Sequence, residues 1–86
     1  MYDHLVGRKI LIRTVTFFYL GEVVAARDNL IELNTCSWVA DTGRLHKAID
    51  DGTLSEVEFL GDGVEVNMGS VVDVIPWAHD LPTTSK

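Results

Sequence analysis

His46 and Asp50 stand four residues apart, a spacing that puts both side chains on one face of a helix. The pair could hold a metal ion, or it could act as a general base with its orienting carboxylate. Two ligands do not close a metal site, and no third or fourth lies nearby in sequence, so the pair reads as a surface ion pair. Asp41, Asp50, Asp51, Asp62, Asp73 and Asp80 supply carboxylates for paired acid–base work. Such work needs a cleft with unequal environments, which a chain of 86 residues could offer at a subunit boundary. Cys36 and His46 lack a third member in a defined relation, so they do not read as a nucleophile and its base. Gly61-x-Gly63 has neither the longer glycine-rich signature nor a helix after it, and reads as a turn rather than a phosphate cradle. The expectation is a protein that is not an enzyme, with no catalytic residues, no metal site and no cofactor.

The chain carries 7 Lys+Arg against 13 Asp+Glu, a net charge of -6. Nucleic acid repels such a chain unless its basic residues cluster. Here they are dispersed at Arg8, Lys9, Arg13, Arg27, Arg44, Lys47 and Lys86. The run Phe17-Phe18-Tyr19 could stack bases. Without neighbouring positive charge it reads instead as core or subunit-contact packing. A single cysteine, Cys36, rules out an intrachain disulfide and makes a reducing compartment, the cytoplasm, the default. No basic segment followed by an apolar stretch opens the chain, and its longest apolar runs fall far short of a membrane span, so no membrane association is expected.

These residues must be positioned by one small domain, 1–86, whose hydrophobic content of 47% is high for its size. Either a compact barrel holds that apolar surface, or a subunit hides it in an oligomer; the small size favours the oligomer. Gly7 permits a tight bend before Lys9–Val15, a strand with two largely apolar faces. One of those faces must be covered by a bent neighbouring sheet or by another chain. Phe17 and Tyr19 alternate with Phe18 and Leu20. Gly21, within the strand Leu20–Ala26, marks a bend or bulge, and Arg27-Asp28-Asn29 is a compact turn. Leu30–Leu33 and Asn34–Ala40 are extended. Asp41 or Thr42 can cap a helix over residues 42–51, with Leu45, Ala48 and Ile49 as its apolar stripe and Gly52 as its terminator. Thr53–Phe59, Val64–Val66 and Val71–Ile75 read as strands, with Leu60–Gly63 a turn and Gly69 a left-handed or bulged position. Pro76 ends the last strand, Trp77 closes a barrel end or an interface, and 78–86 reads as a flexible tail.

Gly7 with the strand after it, Gly21-x-Val23 with Asp28, Ile31-x-Leu33, and Met68-Gly69-x-x-Val72-x-x-Ile75 together resemble the two sequence blocks of the Sm-like family. The stretch Trp38–Arg44 and the terminal Val-Ile-Pro-Trp are most similar to phage-encoded or bacterial Sm-like proteins of unknown role. The resemblance implies a mainly β fold, a strongly bent five-stranded SH3-like barrel with a short helix inserted around residues 42–51. It also implies a homo-oligomeric ring of five to seven subunits, a non-enzymatic scaffold or adaptor of phage origin with a further protein partner at the inserted helix. In family members that bind RNA, an Asp and a Met-Asn-like pair read the base and an Arg-Gly faces the phosphate. Here Asp28 holds the Asp position, Asn29 and Leu30 fall at the stacking and base-reading positions, and Met68-Gly69 keeps the Gly without the Arg. Arg27 adjoins them. An RNA-binding module with a degenerate nucleotide site is therefore the alternative, and Gly7, Gly21, Gly69 and Trp77 are the structural positions the resemblance stresses.

Overall fold

In the computed structural model, which describes residues 1–86, the alternating runs become six strands and one helix. The strands are β1 (Lys9–Thr14), β2 (Phe18–Arg27), β3 (Leu30–Asp41), β4 (Glu56–Gly61), β5 (Val64–Asn67) and β6 (Val71–Pro76), and the helix is α1 (Leu45–Asp51). Two 3-10 turns, Asp3–Leu5 and Met68–Ser70, flank the sheet. Asp28, at φ 51°, carries the two-residue connection from β2 to β3, because a short side chain tolerates the left-handed region. The residues expected to form two extended pieces, Leu30–Leu33 and Asn34–Ala40, form the single strand β3.

All strand pairs are antiparallel, in the order β4-β3-β2-β1-β6, with β5 also on β3. The path ends in β4 at one side and β6 at the other, and no ladder joins them. The sheet is therefore open and not curled into a barrel, which overturns the five-stranded Sm-like barrel. The physical reason lies at the edges: β6 pairs only with β1, β5 pairs only with β3, and just the Met68–Ser70 turn separates β5 from β6. Alternation and glycine spacing specify strands and bends, but which edges meet is a property of the whole sheet.

Leu60–Gly63 is not the turn expected from its residues. The chain does not reverse there. Cys36 faces Gly61 and Leu33 faces Val64, so the register on β3 carries straight across the gap, and β4 and β5 are one long strand interrupted at Asp62–Gly63. The interruption meets irregularities in both neighbouring strands. Thr35 takes φ 49°, and the β2–β3 register shifts between Leu20 and Glu22, leaving Thr35 and Cys36 opposite Gly21. Polar groups freed by the gap find partners across it: Thr35 N–H donates to Asp62 Oδ1 at 2.8 Å and Gly63 N–H to Asn34 Oδ1 at 3.0 Å. Gly21 is required by close approach, since a Cβ there would lie 3.2 Å from Asn34 O and 3.3 Å from Cys36 Cα. Gly69, by contrast, is not left-handed. It sits in the second 3-10 turn, with its N–H held by Asn67 Oδ1 at 2.8 Å.

The two apolar faces of β1 serve two cores. Ile10 and Ile12 join Leu5, Val23, Ile31, Leu33, Cys36, Val66 and Met68 in the first. Leu11 joins Leu20, Val39, Ala48, Leu54, Val57 and Trp77 in the second. The second face is thus covered within the chain, by α1, Leu54 and Trp77. Trp77 is buried, its N–H donating to Lys9 O and its indole N–H to Asp80 O. Helix α1 starts without a side-chain cap; Asp41 instead accepts Gly43 N–H in the preceding turn. Gly52 ends it in the left-handed region, its N–H bonded to Ala48 O at 2.8 Å. Burying Ala48, with Leu45 packed alongside, holds this seven-residue helix in place, since a helix so short is not stable alone.

Candidate functional site

The residues singled out for chemistry do not converge. His46 pairs with Asp50 at 3.0 Å on the exposed face of α1, and Lys47 pairs with Asp51 at 3.3 Å. Cys36 lies in the first core while α1 covers the second, so Cys36 and His46 are on opposite faces of the sheet. Burial pushes the Cys36 thiol up to about 12, which removes thiolate at neutral pH. Asp73 is clasped by Arg13 across the β1–β6 pair, with Nη2 at 2.6 Å from Oδ2, and Asp62 holds Thr35. No three His, Cys, Asp or Glu side chains form a group able to hold a metal ion.

The residues matched to the Sm-like nucleotide positions do come together. Met68 N–H donates to Asn29 O at 2.8 Å, and Asn29 Nδ2 donates to Asn67 Oδ1 at 3.0 Å, beside Gly69. Their polar groups are engaged with one another. Tyr2 O–H donates to Asn29 Oδ1 at 3.3 Å, Met68 is buried, Leu30 opens β3 half-buried, and Asp28 stands exposed in the connection. Arg27 is bound to Glu65 and Glu32, hydrogen bonds that raise its pKa, Glu65 first. The Sm-like ring, its role as a scaffold or adaptor of phage origin, and the alternative of an RNA-binding Sm-like module all rest on the closed barrel, and the open sheet removes that premise.

A different surface gathers unpartnered chemistry. The expected alternation of the aromatic run holds: Phe18 and Leu20 enter the second core, while Phe17 and Tyr19 point to the other face. There the Phe17 ring centroid lies 5.4 Å from Tyr19 and 4.9 Å from Trp38. Trp38 faces Tyr19 across β2–β3 and Glu58 across β3–β4, and it remains 41% exposed. A groove of about 410 Å³ runs past this cluster, lined by Thr16, Phe17, Trp38, Glu56, Glu58 and Lys86 among others. Phe17 also borders two further grooves, shared with the exposed Val15 and Val72. The Glu56 carboxylate has no hydrogen-bond or ion-pair partner in the protein, and that of Glu58 accepts only from Ser85 Oγ, at 3.2 Å. An aromatic floor with carboxylates on its rim attracts a cation, through the ring quadrupoles and by charge.

Residues after Trp77 complete the groove. His79 bonds through Nε2 to Ile49 O at 2.8 Å, Leu81 packs on the second core, and the chain then reaches the outer edge of β4. There Val57 N–H donates to Lys86 O at 2.9 Å and Lys86 N–H to Val57 O at 2.8 Å. Sequence reading missed Trp38, Glu56 and Glu58 as a unit. The only trace was the alternation Glu56-x-Glu58, whose register against Trp38 no local pattern specifies.

Comparison with protein-family models, with curated proteins and with solved structures finds no match in any of the three. No helix is long and apolar enough to cross a membrane.

Proposed function

We propose that this protein is a non-catalytic binding module that takes a lysine or arginine side chain of an extended partner peptide into the groove between Phe17, Trp38, Glu56 and Glu58. The observation that carries the reading is the contact of half-buried Phe17 with exposed Trp38 beside Glu56, whose carboxylate has no partner in the protein. Several other carboxylates are matched, Asp73 with Arg13, Glu65 and Glu32 with Arg27, Asp51 with Lys47; Asp28 and Asp80 are, like Glu56, without a side-chain partner, but neither lines the groove of Phe17 and Trp38. Trp38 and Phe17 contribute the face of a cation site, worth about 0.5–1 kcal/mol at an exposed position, and the two carboxylates add charge attraction. Such a site gives weak, salt-sensitive recognition, with dissociation constants on the order of 1 mM for a short peptide. The dispersed and locally paired titratable groups support a role without catalysis, and the lone buried thiol supports a reducing, cytoplasmic setting.

Two tryptophans make the test direct. An acetylated peptide amide copying residues 82–86 is titrated into 15N-labelled protein while both indole N–H signals are followed. The Trp38 signal is expected to move with the lysine peptide and not with its alanine counterpart, while buried Trp77 stays still. A Trp38 signal unmoved at several millimolar peptide overturns the reading.

A further inference from the structure

Two valines stand outward where local preference would not put them. Val15 is 89% exposed in the connection between β1 and β2, where Gly, Asn or Asp is the usual choice. No residue of that connection takes a positive φ. Thr14 fixes it instead: its hydroxyl donates to Phe17 O at 2.6 Å and accepts Phe17 N–H at 3.3 Å. Thr14 N–H adds a third bond, to Phe17 O at 3.0 Å. The hairpin end is held by these bonds, and Val15 projects from it. Val72 is displaced by a bulge. Arg13 pairs with Asp73 and Thr14 with Val71, so Val72 has no residue opposite it on β1 and is 56% exposed. A bulge re-aims a side chain. Here Val72 and Val15 line the same two grooves, with Phe17 as a further wall. Departures from local preference of this kind concentrate at functional surfaces.

We infer that Val15 and Val72 form the apolar half of the binding surface, and that the partner carries a leucine-sized aliphatic side chain two residues from its lysine or arginine. The inference rests on the cation-binding reading above and specifies it. Thr16 and Phe17 line the aromatic–acidic groove as well as both apolar grooves, so the surface is continuous. Its charge is one-sided. Glu56 and Glu58 stand at the β4 end, whereas at the β6 end Arg13 and Asp73 neutralise each other at 2.6 Å. A segment with a cation at one end and an apolar side chain at the other complements that layout. A second copy of the chain does not, since it brings its own net charge of -6 against the same carboxylates. The spacing follows from the sheet. Trp38 on β3 and Val15 beyond β1 are two strand spacings apart, about 10 Å. Same-face residues of an extended peptide stand about 7 Å apart, and the flexible lysine stem covers the rest.

Two acetylated peptide amides, Leu-Ala-Lys-Ala-Leu and Ala-Ala-Lys-Ala-Ala, are titrated into 15N-labelled protein. Leucine on both sides of the lysine makes the result independent of peptide direction. The same titrations are made on a double variant, Val15→Asn with Val72→Ser. Both positions are exposed, and asparagine suits a hairpin end, so the fold is kept. The backbone amides of residues 15 and 72 are read together with the Trp38 indole. The parent is expected to bind the leucine peptide about threefold to tenfold more tightly than the alanine peptide, with all three signals moving. The double variant is expected to bind both peptides alike, at the strength of the alanine peptide. Equal binding of the two peptides to the parent overturns the apolar half while leaving the cation site standing. A leucine preference that survives in the double variant overturns its assignment to Val15 and Val72. Signals of residues 15 and 72 that move on dilution of the protein alone place a second copy on the patch and overturn the peptide partner. Absence of binding by either peptide at several millimolar overturns the cation site itself, and the inference with it.

Discussion

Asp62 receives the backbone N–H of Thr35 at 2.8 Å, at the one level where β3 exchanges β5 for β4 as its neighbour. A strand interrupted at that point leaves amides without ladder partners, and a carboxylate is a strong substitute acceptor. Replacing Asp62 by alanine is expected to destabilise the protein by about 1–2 kcal/mol, whereas Asp62→Asn, which keeps an acceptor oxygen, costs less. Urea unfolding of the three proteins measures it, and equal midpoints for Asp62→Ala and the parent contradict it.

Ser37 shows the opposite situation. Its side chain is fully buried, and its hydroxyl has no hydrogen-bond partner. A buried hydroxyl left unpaired costs about 1–3 kcal/mol, so Ser37→Ala is expected to leave stability unchanged or raise it by about 1 kcal/mol. A lowered thermal midpoint in the variant would show that the hydroxyl is satisfied in solution.

Gly21 is the position at which the sheet tolerates least. Backbone atoms of β3 stand 3.2 and 3.3 Å from where a Cβ would be, and backbone cannot rotate aside as a flexible side chain can. Gly21→Ala is expected to cost about 1–3 kcal/mol, and Gly21→Val more, enough to unfold a domain of marginal stability. Circular dichroism melting of both variants tests the order; a valine variant as stable as the parent refutes it.

Much of this was legible in the residues, and the failures are specific. Alternation from Lys9 to Leu33 gave the strands, Gly21 the irregularity, and Gly52 the end of α1, because each of these is a local property of the backbone. The Asp62–Gly63 interruption looked like a reversal, since Gly-Asp-Gly suits a hairpin as well as a break; only the continued register of Leu33 on Val64 separates the two. Closure of the sheet depended on whether its outermost strands meet, which short-range pattern does not encode. The candidate site was hidden for the same reason: Phe17, Trp38, Glu56 and Lys86 are spread over 70 residues and meet only through the β2–β3 and β3–β4 registers and the path of the final segment.

Cys36 gives a prediction in pH. Burial raises its pKa from 9.0 to about 12, so the unfolded chain releases the thiol proton first as pH rises. The stability tied to the neutral thiol is therefore complete below pH 9.0 and is lost between 9.0 and about 12. Over that interval the parent is expected to lose stability more steeply than Cys36→Ala, by up to about 1.4 kcal/mol per pH unit. Parallel curves from denaturant titrations at pH 8 to 11 contradict the assignment. In the folded protein the thiol is also expected to resist a thiol-labelling reagent at pH 8 until denaturant is added.

The pairing of Ile10 with Pro76 and of Ile12 with Val74 has a consequence in time. As the polypeptide leaves the ribosome, β2 can join β1, and β3 can join β2, through short hairpins. The other side of β1 waits until more than sixty further residues have been made. Through that interval Ile10, Leu11 and Ile12 lie beside an unpaired row of amides and carbonyls, the form in which nascent chains stick to one another. Closing so long a loop is also what slows folding in sheets built from distant partners. The earliest strand to emerge is thus among the last to be sealed.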